Sequence, residues 1–176
     1  MKRQETSARS LKRTSCAQSE LIVKKSALRR SLLPRKARKG KPRTVVDTNV
    51  LVAGIAGFRE PFIHGRNPSA DVLHRWAEQN NFVWLITEDI LEEYKEVLRR
   101  LHVRPNVIGK VVNLIRERAD EVKVHASAQI SPDPKDDAFC LCAEQGKADF
   151  IITLNPSDFP EGRLKARVVS PRLFRA

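Results

Sequence analysis

The segment TVVDTNVL at positions 44–51 places a single carboxylate, Asp47, between a short apolar strand and a helix. Two β-branched valines precede the acid, and the apolar residues that follow it recur at helical spacing. Open α/β sheets bind their ligands at the carboxyl ends of the strands, so this pattern directs the acid to that edge. Burying such an acid is costly unless it is paired or holds a cation. The alternative interpretation is that Asp47 only caps the helix.

A second acid is directed inward by the helical pattern of residues 87–101. The apolar residues of this segment follow the spacing of an amphipathic helix, and Thr87 suits its N-cap. At about 100° per residue, Glu93 falls at the edge of the apolar stripe, whereas Glu92 and Glu96 fall on the opposite side. We therefore expect Glu93 to point inward, unless it forms an ordinary helix-edge ion pair with Lys or Arg.

The segment DPKDDAFCLCA at 133–143 carries two adjacent acids in front of a uniformly apolar helix. Asp133 suits the N-cap, with Pro134 at the first helical position. Asp136 and Asp137 then lie at the mouth of a buried helix, where two carboxylates repel each other unless something positive neutralises them. Capping and the helix dipole account for Asp133 and one other acid, which leaves one in surplus.

Polar residues also follow the buried-strand pattern at 150–152. Thr153, Asn155 and Asp158 come past the end of this strand, so we expect them at the same sheet edge as Asp47. Asp149 starts the strand and is expected at the opposite edge, which removes it from the candidate site.

Four motifs in this order and spacing, VVDTNVLV, ILEEYKEVL, DPKDDAFCLCA and ADFIITLNPSDFP, resemble a PIN-domain protein. The resemblance covers about residues 43 to 174 and is closest to the branch of toxin components of prokaryotic toxin–antitoxin systems, related to VapC. It implies a Mg²⁺- or Mn²⁺-dependent ribonuclease on a Rossmann-like sheet of parallel strands. The matching positions assign the first three family acids, which are both the metal ligands and the catalytic residues, to Asp47, Glu93 and Asp136. Asp137 is a near neighbour that could substitute.

The fourth family acid usually follows the last Thr-x of the strand at 150–152, and here that position is Asn155. Either Asp158 compensates through the following turn, or Asn155 binds metal through its amide oxygen or through a water. The departure leaves open whether one or two metals bind. By the same resemblance, Thr48, Asn49 and Thr153 look like groups that orient the acids.

The chemistry of these acids agrees with the resemblance on independent grounds, because Mg²⁺ takes oxygen ligands and keeps several waters. No cluster of His or Cys competes with this interpretation, since the four histidines are scattered in sequence. Cys140 and Cys142 lie in an apolar helix without two further ligands, which argues against zinc. No Gly-rich phosphate loop or Gly-x-Ser-x-Gly motif is present. A phosphatase is disfavoured because no second Asp stands two residues after Asp47.

Charge divides the 176-residue chain, whose net charge is +12, into two unequal parts. Residues 1–43 hold 15 Lys or Arg against two acids, whereas residues 44–176 hold 18 basic and 19 acidic residues. We expect a disordered basic extension over 1–42 and a nuclease domain over 43–176. The extension is either a nucleic-acid arm, a targeting leader or a flexible segment without function. Candidate RNA contacts are Lys36, Arg38, Lys39, Lys41 and Arg43.

The rest of the domain alternates strands and helices. The patterns predict helices at 67–77 and 105–119 and strands at 82–86, 122–124 and 167–169. This alternation predicts an α/β fold: a three-layer, Rossmann-like PIN fold with a mostly parallel central sheet.

We therefore expect a metal-dependent endoribonuclease that prefers single-stranded RNA and acts as the toxin of a toxin–antitoxin pair. The alternative is a catalytically degenerate PIN fold that binds RNA or protein, and Asn155 is the feature that favours it. The expected partners are an RNA substrate, an antitoxin protein as a candidate, and a second copy of the chain in a homodimer. Three cysteines and the lack of a long apolar run predict a cytoplasmic protein without membrane association.

Overall fold

A computed structural model describes residues 40–57, 61–125, 129–131 and 133–175 of the chain. Residues 1–39 of the extension predicted over 1–42, with Lys36, Arg38 and Lys39, lie outside these residues, whereas residues 40–42 are described and Pro42 pairs with Val83. The strands are β1 (Arg43–Val46), β2 (Val83–Ile86), β3 (Asp120–Glu121), β4 (Phe150–Ile152) and β5 (Arg167–Val169). The α-helices are α1 (Thr48–Gly57), α2 (Pro68–His74), α3 (Glu88–Arg100), α4 (Pro105–Arg118) and α5 (Pro134–Gln145).

The five strands form one sheet in the order β3-β2-β1-β4-β5, and every neighbouring pair is parallel. β1 is central, with Val45 paired to Ile151 of β4 and Thr44 paired to Trp84 of β2. Parallel strands joined by helices need cover on both faces, which explains why the strands read as continuous apolar runs. The predicted α/β fold with a parallel central sheet is confirmed.

Helix α3 is fixed against the centre of the sheet by a buried aromatic residue. Tyr94 is fully buried, and its hydroxyl donates a hydrogen bond to the Val46 carbonyl at the end of β1. Its ring also lies 6.3 Å from the Trp84 ring on β2. Because Glu93 precedes Tyr94 in the same helix, this anchor determines where the Glu93 carboxylate can reach.

Two predicted helix caps are present, and Asn67 forms a third. The Thr87 hydroxyl accepts a hydrogen bond from the Ile90 amide at 3.3 Å, and the Asp133 carboxylate accepts one from the Lys135 amide at 2.9 Å. Asn67 accepts amides of the first turn of α2, where Pro68 occupies the first helical position. These caps satisfy amides that have no partner within the helix.

Two elements differ from the sequence prediction. The predicted helix at 67–77 ends at His74 and continues as a π-helical turn over Arg75–Gln79. The strand predicted at 122–124 lies two residues earlier, at Asp120–Glu121. The pattern at 122–124 was misleading because β2 ends at Ile86, which already pairs with Glu121 and leaves no strand for later residues to join. The Val122 amide still donates to the Ile86 carbonyl at 2.7 Å.

Backbone pairing begins slightly before β1, since the Val83 amide donates to the Pro42 carbonyl at 2.9 Å. Among the described residues, no helix is long and apolar enough to cross a membrane.

Candidate metal centre

The carboxyl ends of β1 and β4 bring Asp47 and Thr153 together. The Asp47 amide donates to the Ile152 carbonyl at 2.9 Å, which continues the β1–β4 pairing beyond the strands. The Thr153 hydroxyl then donates to Asp47 Oδ2 at 2.5 Å. The structure therefore has Asp47 at the carboxyl edge of the sheet, as the strand–Asp–helix pattern predicts.

The orientation of the Thr153 hydroxyl is fixed by a second hydrogen bond. The Thr153 hydroxyl oxygen accepts a hydrogen bond from the backbone amide of Asn155 at 3.0 Å, so the hydroxyl proton is directed to Asp47. Asn49 joins the same edge, because its side-chain oxygen accepts the Leu154 amide at 3.2 Å. The segment after β4 is therefore tied both to the Asp47 carboxylate and to the first turn of α1.

Burial raises the pKa of Asp47 above its ordinary value, and the hydrogen bonds from Thr153 and Asn49 counteract this only in part. Asp47 also occupies the capping position of α1, but its contact with the Asn49 amide is long, at 3.4 Å. Asp47 Oδ1 therefore caps α1 only weakly, while Asp47 Oδ2 accepts the Thr153 hydroxyl.

Glu93 reaches the same edge from α3. The Thr48 hydroxyl donates to Glu93 Oε1 at 2.5 Å. No Lys or Arg in the described part of the chain forms an ion pair with Glu93, whereas the exposed Glu92 pairs with Lys95 on the solvent side. Burial raises the pKa of Glu93, the Thr48 hydrogen bond lowers it, and the negative charges of Asp47 and Asp136 raise it further.

Asp136 approaches from the first turn of α5. Burial raises its pKa to about 6, and the charges of Asp133, Asp47 and Asp158 add to this effect. Coulombic coupling of this kind requires the carboxylates to lie near one another. Thus Asp47 disfavours the ionised forms of both Glu93 and Asp136, and Asp136 disfavours that of Glu93.

Asp137, which follows Asp136 in the first turn of α5, has a structural role. Its Oδ1 atom accepts the amides of Ile130 and Ser131 at 2.7 and 2.8 Å, so it ties the preceding loop to the start of α5. Sequence reasoning missed this role, because nothing in the sequence indicates that residues 130–131 return to the helix. Asn155 and Asp158 are both exposed, the latter in a 3-10 turn (Pro156–Asp158).

The donor chemistry of this edge fits a hard divalent cation, since it consists of carboxylate and hydroxyl oxygens. No group of three or more His, Cys, Asp or Glu side chains in the described part of the chain is arranged ready to hold an ion. Asp47 and Glu93 are instead each engaged by a threonine hydroxyl. Burial raises the pKa of both Cys140 and Cys142 to about 12, which disfavours the thiolates that zinc requires.

At the opposite, amino edge of the sheet, charges are paired. Arg43 Nε donates to the Gly146 carbonyl at 2.9 Å, and its Nη1 atom lies 3.1 Å from Asp120 Oδ2. The Asp149 carboxylate accepts the Arg43 amide at 2.7 Å, which places Asp149 at this edge as predicted. Lys41 donates to the Asn80 carbonyl. Arg43 and Lys41, both candidate RNA contacts, therefore lie away from the acids and are engaged within the domain.

The chain resembles a protein-family model and a solved structure. No match was found among curated protein sequences. Among solved structures, the chain is similar to a chain of VapBC2 from Rickettsia felis bound to a DNA fragment from their promoter, with 13% identity and a TM-score of 0.49. That match covers 73% of this chain and 98% of the other. The PIN domain family model matches residues 43–157, which span all three acids and Thr153. The chain belongs to the PIN domain family.

Proposed function

We propose that this protein is a divalent-metal-dependent endoribonuclease that hydrolyses phosphodiester bonds of RNA. One observation carries the proposal: Asp47, Glu93 and Asp136 belong to three different elements, burial raises the pKa of each, and the charge of Asp47 raises the pKa values of Glu93 and Asp136 further. Perturbed acids of this kind cluster at functional sites more often than at structural ones. A divalent cation would reverse the perturbation, because it favours the ionised form of each acid.

Asp47, Glu93 and Asp136 would hold Mg²⁺ or Mn²⁺ in this proposal. When bound, such an ion supplies charge stabilisation to the phosphodiester and activates water at neutral pH. The chain's own contribution is to orient the ligands. The Thr153 hydroxyl directs Asp47 Oδ2, and the Thr48 hydroxyl directs Glu93 Oε1. Fixed hydroxyl donors also keep each carboxylate from turning toward solvent, which preorganises the site.

Asn155 and Asp158 belong to the proposal as weaker contributors. Asn155 occupies the position at which the family has its fourth acid, and its amide carries no negative charge. Asp158 lies close enough to raise the pKa of Asp136, so it supplies negative charge beside the third acid. We propose that one ion is bound firmly and that a second depends on Asp158.

Cleavage of a labelled single-stranded RNA by the purified full-length chain tests this function. We expect internal cleavage with Mg²⁺ or Mn²⁺ and none after chelation, with activity restored when the metal is returned. Mass analysis of the product ends distinguishes internal cleavage from trimming. Absence of cleavage with both ions, across RNAs of varied sequence, would contradict the proposal.

A second function, a non-catalytic PIN fold that binds RNA or protein, is favoured by two observations. Asn155 replaces an acid, and the described residues include no ready group of three metal-binding side chains. This function predicts RNA binding that is unchanged by divalent metal and by Asp47→Asn. Metal-stimulated cleavage would exclude it.

We further propose that the nuclease acts as a cytoplasmic toxin, neutralised by an antitoxin protein, and assembles as a homodimer. The toxin role is supported by the resemblance of the four motifs to the VapC-related branch. Controlled expression should arrest growth, and co-expression of a small protein encoded beside it should relieve the arrest. Light scattering should give twice the mass of one chain. Normal growth during expression would contradict the toxin role, and the mass of a single chain would contradict the homodimer.

A further inference from the structure

An open groove of about 990 Å³ lies at the amino edge of the sheet, away from the acids. Its wall is formed where the chain enters β1, at the turn between α5 and β4, and at the starts of β4 and β5. We call it the amino-edge groove. Its charged lining residues are Lys41, Glu144, Lys147, Asp149, Lys165 and Arg167.

The two acids of this groove are already engaged by the domain. Glu144 Oε1 accepts the Lys165 amide at 2.6 Å, and Asp149 accepts the Arg43 amide at 2.7 Å. The negative end of α5 is also occupied, since the Gly146 carbonyl accepts Arg43 Nε. Amide hydrogen bonds leave both carboxylates charged, but the lining holds four cations against these two acids. The groove therefore has a net positive charge, and a polyanion is the ligand class that matches this balance.

Three of the cations face solvent. Lys147, Lys165 and Arg167 are exposed, and the Lys165 side chain is 92% exposed even though it lies 3.8 Å from Glu144. The Arg167 guanidinium lies over the Phe150 ring, 5.9 Å from its centre. The exposed guanidinium plane is itself a surface on which a nucleobase can stack. The combination favours a single-stranded nucleic acid over a small anion.

The groove also lies where the basic extension joins the domain. Gly40 and Lys41 line it, and the 39 residues before them contain 13 Lys or Arg. The most basic part of the sequence is therefore joined directly to residues that line the groove. The near-neutral charge of residues 44–176 conceals this arrangement, because acids at one edge offset bases at the other.

We propose that the amino-edge groove binds the sugar-phosphate backbone of single-stranded RNA at a site separate from the carboxylates. The proposal extends the proposed ribonuclease function by giving its substrate a second point of attachment. The strands that separate the two edges are three or four residues long, about 10–13 Å at the usual rise. An RNA that touches both edges must therefore span several nucleotides, and longer substrates should bind more tightly than short ones.

Binding measured without divalent metal tests the groove independently of cleavage. The probe is a fluorescent single-stranded RNA of about twelve nucleotides, titrated with the full-length protein in chelator, where each phosphate contact contributes about 0.7 to the salt slope. The double variant Lys147→Gln/Arg167→Gln should bind severalfold more weakly and lose about 1.4 from that slope. A matched control, Arg100→Gln/Lys110→Gln, removes the same charge from exposed positions on α3 and α4.

The control should bind RNA nearly as the unaltered protein does. Equal losses in both double variants would show a nonspecific effect of net charge and overturn the proposal, as would no loss in the groove variant. A single-stranded DNA of the same sequence separates the sources of phosphate: tighter binding of DNA than RNA would contradict the choice of RNA. Because no metal is present, loss of cleavage activity cannot imitate any of these results.

Discussion

The two edges of the parallel sheet contain the same kinds of residue in opposite arrangements. At the amino edge, Asp120 and Asp149 are each satisfied by Arg43, through its guanidinium and its amide. At the carboxyl edge, Asp47 and Glu93 accept hydrogen bonds from neutral donors, chiefly the hydroxyls of Thr153 and Thr48, and the charge of Asp47 opposes that of Glu93. Asp120 at the amino edge is thus paired with a positive charge, whereas Asp47 and Glu93 at the carboxyl edge have no ion-pair partner within the described part of the chain. That unmet electrostatic requirement is the physical basis for proposing a metal at the carboxyl edge.

The largest expected effect separates these two kinds of acid. Asp47→Asn should lower RNA cleavage by roughly 10²–10³-fold or more, the range for loss of one electrostatic group from a preorganised site. The matched control, Asp120→Asn, makes the same chemical change at the amino edge. It weakens a half-exposed ion pair worth about 0.2–1 kcal/mol and should leave turnover unchanged. Steady-state cleavage rates check both, and similar losses in the two variants would break the comparison.

A smaller effect is expected for the hydroxyl that orients Asp47. Thr153→Val keeps the shape of a fully buried side chain but removes its donor, so activity should fall roughly 10–100-fold. The acid limb of the pH–rate profile should also move to higher pH, because the Thr153 hydrogen bond lowers the pKa of Asp47. An unchanged pH profile would show that Thr153 has only a packing role.

The control for that variant is Thr44→Val in β1. Thr44 is equally buried, and its hydroxyl has no hydrogen-bond partner within the described part of the chain. Replacing an unsatisfied buried hydroxyl by a methyl should leave activity unchanged and raise the free energy of unfolding by about 1 kcal/mol. Urea unfolding measures the second effect.

Removing residues 1–39 should weaken RNA binding roughly tenfold or more and flatten its dependence on salt, because 13 Lys or Arg are lost. The deletion stops before Gly40 so that the pairing of Pro42 with Val83 is kept. Turnover at saturating RNA should change little, since the acids all lie in the domain. Identical affinity and identical salt slope in the two proteins would show that the extension is not an RNA arm.

The smallest effect concerns stability. The folded-state pKa of Asp136 is raised to about 6, so its ionisation above that pH disfavours folding, and the lost stability returns as pH falls toward 3.8. Asp136→Asn should therefore raise the melting temperature of the metal-free protein at pH 7. Allowing for solvent screening, the expected rise is about 2–4 °C. A lower melting temperature in this variant would argue against unneutralised charge at the carboxyl edge.

The sequence was sufficient for the features that depend on local patterns. The strand–Asp–helix segment placed Asp47 at the carboxyl edge, and the helical stripe directed Glu93 inward, because both signals lie within a few residues. The role of Asp137 was not predictable, since its partners return through a loop whose path is set by tertiary packing. The position of β3 also failed, because strand pairing is decided by where β2 ends. The amino-edge groove combines residues from distant parts of the chain, so no single motif indicated it.

The central claim is that Asp47, Glu93 and Asp136 share a divalent cation, and direct measurement of Mn²⁺ binding tests it. Calorimetric titration of the full-length protein at pH 7 should show binding of Mn²⁺ with release of protons, because carboxyl groups with raised pKa values must ionise fully. Asp47→Asn, Glu93→Gln and Asp136→Asn should each weaken that binding, whereas Asp120→Asn should not. Equal Mn²⁺ affinity in all four variants and in the unaltered protein would contradict the claim.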